Sequence, residues 1–95
     1  MKNKVTINFQ VEEVMRILED LEFLIVSLDR IGSAQLAEEA RKAEVYDFVI
    51  EGAVFRRLSA ARKFFLERLD EGASSGIRDT LEQKLEKVKP WKIRR

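Results

Sequence analysis

The sequence predicts a mainly α protein: an antiparallel helical bundle of two long helices and one shorter helix, with a short N-terminal strand-like segment. Three observations lead there. Apolar residues return at steps of three and four over Val11 to Ile31 and again over Ser33 to Asp70, the spacing of a helix face. One proline and four glycines leave little irregular chain. The 95 residues allow one domain with a modest core.

Residues 1–10 form the strand-like lead-in. Lys4-Val5-Thr6-Ile7-Asn8-Phe9 alternates polar and apolar residues, two of them β-branched on the apolar side, which suits a strand with one covered face. A strand needs a backbone partner. Trp91 to Arg94, where Trp91 and Ile93 also alternate with polar neighbours, offers one; the same strand of a second copy offers another. The other reading is an extended lead-in whose Phe9 tucks under the first helix.

The first helix spans 11–31. Val11, Val14, Leu18, Leu21, Ile25 and Leu28 form a seam of alternating three and four steps, with Ile17, Leu24 and Ile31 on its flank. Phe23 and Val26 lie away from that stripe, so the helix is apolar over most of its circumference and needs cover on more than one side. A monomer of three helices supplies too little, which predicts a homodimer. Gly32-Ser33 then combines a helix stop with an N-cap, and so short a joint implies a helical hairpin.

The long helix spans 33–70. Gly52 in its middle costs about 1 kcal/mol relative to alanine. The apolar phase is the same on both sides of it, which favours one helix over two. Phe55, Phe64, Phe65 and Leu66 broaden the apolar arc of its second half. Phe23, Val26, Phe64 and Phe65 are therefore the expected self-association residues. After the loop Glu71 to Gly76, the shorter helix spans 76–89, where Pro90 bars its continuation. Residues 90–95 are a basic tail. From Lys84 onward six basic residues face one acid, which suits a helix C-terminus and a solvated tail, with phosphate binding as the alternative. Arg56, Lys63, Lys92 and Arg94 are the candidates for contact with a ligand or nucleic acid.

With no cysteine and no histidine in the chain, disulfides, thiol nucleophiles, serine–histidine triads and the usual zinc sites are excluded. No cofactor is expected. The net charge of +1 does not by itself indicate nucleic acid. No stretch suits a membrane span, and the expected setting is cytoplasmic. The favoured reading is a non-enzymatic interaction or regulatory module acting as a helical-bundle dimer, with room for a further protein partner.

Three resemblances bear on function. Ala53-Val54-Phe55-Arg56-Arg57-Leu58 resembles the central helix of the HEPN (HepT-like) toxin family, and Pro90-Trp91-Lys92-Ile93 is similar to the segment before that family's catalytic motif. The family implies a dimeric helical bundle, often partnered with a nucleotidyltransferase antitoxin. Its catalytic arginine-then-histidine motif is missing here, so no catalytic residue carries over and a binding role is implied. Glu19-x-x-Glu22 and Glu44-x-x-Asp47 resemble the carboxylate signature of MazG-like nucleotide pyrophosphatases, which implies a magnesium site on those four residues. A strand with Lys4, Thr6 and Asn8 outward before two helices resembles ribbon-helix-helix regulators, which implies DNA contact through the paired strand.

Overall fold

The computed structural model describes residues 6–72 and 75–95. Four helices occur among them: α1 (Val11–Ser33), α2 (Glu38–Glu51), α3 (Val54–Gly72) and α4 (Ser75–Glu86). The chain is mainly helical, as its periodicity predicts. Several of the expected boundaries move.

α1 runs through Gly32 and Ser33 instead of stopping there. The Ser33 hydroxyl donates to the Asp29 carbonyl at 2.9 Å, so it serves the helix it ends and does not cap the next. α2 starts after Ala37 with no side-chain cap. The carbonyls at the end of α1 are gathered by Arg41 of α2, which donates to Ile31 O at 3.4 Å, Ala34 O at 2.5 Å and Leu36 O at 3.2 Å. Ile31 O, in the last turn of α1, would otherwise lack an intrahelical donor, while Ala34 and Leu36 belong to the joint that follows.

The stretch expected to be one helix over 33–70 is two, broken at Gly52-Ala53. Ala53 adopts φ 52°, a left-handed conformation that a continuing helix does not contain. Gly52 stays right-handed, and its amide donates to Phe48 O at 2.8 Å. A Cβ there would meet Phe48 O at 2.6 Å and the Phe48 ring at 2.9 Å. Glycine is thus required for the close approach, while the unusual backbone angle falls one residue later.

Ion and ring pairs set the directions of the helices. Glu13 and Asp20 of α1 meet Arg68 and Arg57 of α3 respectively, so α3 runs opposite to α1. Phe23 meets Phe48 at 5.8 Å between ring centroids, and Arg41 reaches Ile31, so α2 does the same along the other half of α1. The architecture is a helical hairpin whose second arm is broken. Its inner face is Glu13, Ile17, Asp20 and Leu24 against Arg57, Ala61, Phe64 and Arg68, each set at steps of four, three and four. Ile17 and Leu24 are buried at its centre. The expected seam is therefore displaced: Val11, Leu18 and Ile25 face outward, and the residues assigned to its flank face in.

The N-terminal strand is not seen among the described residues; Lys4 and Val5 lie outside them. Residues 6–10 form neither helix nor strand, and Ile7 and Phe9 pack against α3. Ile7 packs on the backbone of Gly72, where a Cβ would sit 3.5 Å from it. Phe9 meets Phe64 and Phe65 at 5.7 and 5.5 Å. α4 folds back along α3 through Arg78 and Asp70, 2.6 Å apart. It ends at Glu86 rather than 89; Pro90 disfavours the helical region only at Lys89. Its last turn tightens through bonds from Lys87 N to Lys84 O and Val88 N to Leu85 O.

Candidate functional site

A hairpin gives each helix one neighbour along most of its length, and one neighbour covers one face. The consequence is measurable. Ile17 and Leu24 are the only buried large apolar side chains among the described residues. The chain exposes 8655 Å², whereas a compact monomer of 11.1 kDa exposes about 5,700 Å². Its radius of gyration is 17.6 Å, against about 12 Å for a globule of this length. The irregular tail from Val88 contributes to the surplus, and so do apolar side chains left exposed on the helices.

The most continuous part lies on α1. Val11, Met15, Leu18 and Ile25 form an exposed line on the face turned away from α3. Met15, Leu18, Leu21 and Ile25, with Glu19 and Glu22, form one open patch on this helix face. Neither carboxylate forms an ion pair among the described residues. A groove of about 610 Å³ runs between α3 and α4 over Leu66, Leu69, Leu81 and Leu85. Its rim mixes Arg62, Lys63 and Arg78 with Glu67, Asp70 and Glu82.

The four residues expected to self-associate divide. Val26 remains exposed. Phe23 rests on Phe48 and carries the Arg57 guanidinium 4.4 Å above its ring. Phe64 and Phe65 share an aromatic cluster with Phe9, and Arg68 lies 5.0 Å over the Phe64 ring. Three of the four therefore commit ring surface inside the protomer. Arg56 is exposed on the first turn of α3 and Lys63 stands on the wall of the α3–α4 groove. Lys92 and Arg94 are exposed in the tail, with Arg94 stacked 4.5 Å over Trp91. Glu19 and Glu22 stand exposed on the outward face of α1, and Glu44 and Asp47 stand exposed on α2. Among the described residues no three such ligands are grouped to hold a metal ion.

Sequence reasoning missed the arginines that organise the hairpin. Arg57 donates to Gly52 O at 2.9 Å, pairs with Asp20 and covers Phe23. Arg68 pairs with Glu13 at 2.9 Å and Glu71 at 3.0 Å. The hydrogen bond to Glu13 pushes the Arg68 guanidinium up from its ordinary value, and that to Asp70 does the same for Arg78. A group raised in the fold contributes below its ordinary value and loses that contribution only above it. Both arginines therefore stay charged throughout the range in which proteins are handled. The usable signal was charge: Glu13 and Asp20 on one arm, Arg57 and Arg68 on the other, each pair framing apolar residues.

Set against models of protein families, curated proteins and solved structures, the chain matches none. No helix among the described residues is long and apolar enough to cross a membrane.

Proposed function

We propose that this chain is a non-enzymatic protein-interaction or regulatory module that works as a homodimer. Each copy's hairpin covers the outward face of the other's α1, and together they complete a four-helix bundle. The observation that carries this reading is the exposed line Val11, Met15, Leu18 and Ile25 on a helix whose opposite face is already occupied. Such a line is a seam without a facing helix. A second copy is the simplest facing surface, because a net charge of +1 does not oppose self-approach. The absence of cysteine and histidine supports a binding role over a catalytic one. The expected setting is cytoplasmic, and faces left open by the dimer would receive a further protein partner, as in toxin–antitoxin pairs.

Leu18→Asp with Ile25→Asp tests the reading, since both side chains are exposed in the protomer. The double variant is expected to keep its helical circular dichroism and sediment as a monomer where the parent chain is a dimer. Unchanged self-association would remove this face from the interface. No pyrophosphate is expected from nucleoside triphosphates with magnesium; its release would contradict the non-enzymatic assignment.

A further inference from the structure

We infer that residues 84–95 bind the surface of an anionic lipid bilayer, the basic side chains meeting the headgroups while Val88, Trp91 and Ile93 enter the interface. The inference goes beyond the reading above and does not depend on a second copy. The net charge of +1 conceals a division of the chain. Residues 84–95 hold six basic residues and one acid, whereas residues 1–83 hold twelve basic residues and sixteen acids. An acidic body therefore carries a basic segment. None of the six basic side chains forms an ion pair among the described residues. Every residue of the segment is exposed, and its large apolar side chains are open too: Val88 by 69%, Trp91 by 74% and Ile93 by 79%.

Charge and apolar surface together select the partner. Any polyanion attracts the basic residues, but the three apolar side chains gain only where they leave water. The interface of an anionic bilayer offers phosphate and hydrocarbon side by side, and a basic cluster joined to an apolar anchor is the pairing that holds a protein there. Tryptophan settles at headgroup level, and lysine and arginine reach the phosphates while their stems lie along apolar surface. Single-stranded nucleic acid is the rival polyanion. It binds through successive aromatic platforms, whereas this segment has one aromatic ring, with the Arg94 guanidinium 4.5 Å over its face. Val88 and Ile93 have no ring on which a base could stack. Reach separates the segment from the acidic body. Trp91 lies five residues beyond the end of α4 at Glu86, a span of at most about 18 Å. That is about two Debye lengths at physiological salt, so a surface that draws the segment repels the helices only weakly.

Trp91 is the only tryptophan, so its emission reports entry into the interface directly. The full chain is titrated with phosphatidylcholine vesicles, with and without phosphatidylserine, and binding is read by co-sedimentation and by Trp91 emission. Vesicles containing phosphatidylserine should carry the chain down and shift the emission to the blue, and phosphatidylcholine alone should do neither. Added salt should weaken the binding. Lys92→Gln with Arg94→Gln should weaken co-sedimentation roughly 30-fold, about 5-fold for each charge, and Trp91→Ala roughly 10-fold. Both variants change exposed residues outside the helices, so circular dichroism and self-association should match the parent chain. Failure to co-sediment with phosphatidylserine vesicles overturns the inference. Binding that either variant leaves unchanged overturns it as well, by placing the contact on another face. Tighter binding to a single-stranded oligonucleotide than to the vesicles assigns the segment to nucleic acid and also overturns it. All three results leave the dimer standing, because that reading is tested by sedimentation without lipid.

Discussion

At the scale of single residues, Arg57 joins the two arms of the hairpin. Its guanidinium serves a carbonyl freed by the helix break, a carboxylate on α1 and an aromatic face at once. The ion pair alone, being partly exposed, is worth at most about 1 kcal/mol; the combination with the Gly52 carbonyl and Phe23 raises the effect. Arg57→Ala is expected to lower unfolding free energy by about 2 kcal/mol, read by urea denaturation at fixed protein concentration. Arg57→Lys should recover less than half of that, because a single ammonium cannot span the same three partners. The neighbouring pair separates two roles that glycine is often given together. Ala53→Gly should stabilise by about 1 kcal/mol, because Ala53 alone holds the left-handed angle. Gly52→Ala should destabilise by about 2 kcal/mol, because its Cβ meets backbone oxygen and ring carbons. Thermal melts of the two variants should therefore move in opposite directions.

At the scale of elements, the extent of α1 was legible in its apolar periodicity to within two residues. The face it buries was not, because a helix apolar around most of its circumference offers periodicity no unique answer. The partners decide it: Arg57 and Arg68 turn Asp20 and Glu13 inward, and Ile17 and Leu24 go with them. The break at Gly52-Ala53 was hidden for a related reason. Ile50 to Val54 is still a step of four, so the count of residues continues where the backbone does not. The resembling hexapeptide Ala53 to Leu58 begins on that left-handed residue, so it opens a helix and is not the interior of one. Phe9 was legible as a packing residue of the lead-in, but its partner lay more than fifty residues away. Phe9→Ala should lower stability by about 1–2 kcal/mol through lost contact with Phe64 and Phe65. The same substitution should leave Phe23–Phe48 at the other end undisturbed, since distant sites act independently. Amide exchange that quickens in α3 while α2 is unchanged is the expected pattern.

At the scale of the whole molecule, the sequence showed the surplus of apolar side chains, and the hairpin explains why folding one copy does not remove it. α2 has no buried residue among those described, and Tyr46 and Ile50 on it are exposed together with Phe55 on α3. Where the candidate surface lies was only half legible. Val26 stays open, and Phe23 and Phe65 pack on rings of their own protomer while remaining 38% and 39% exposed; the outward line of α1 stands beside them. In the proposed dimer, a second copy supplies the layer that a broken hairpin lacks. Sedimentation equilibrium of the full chain over a wide concentration range measures this most directly. The account requires a mass approaching twice 11.1 kDa as concentration rises, and a mass that stays at 11.1 kDa into the tens of micromolar contradicts it.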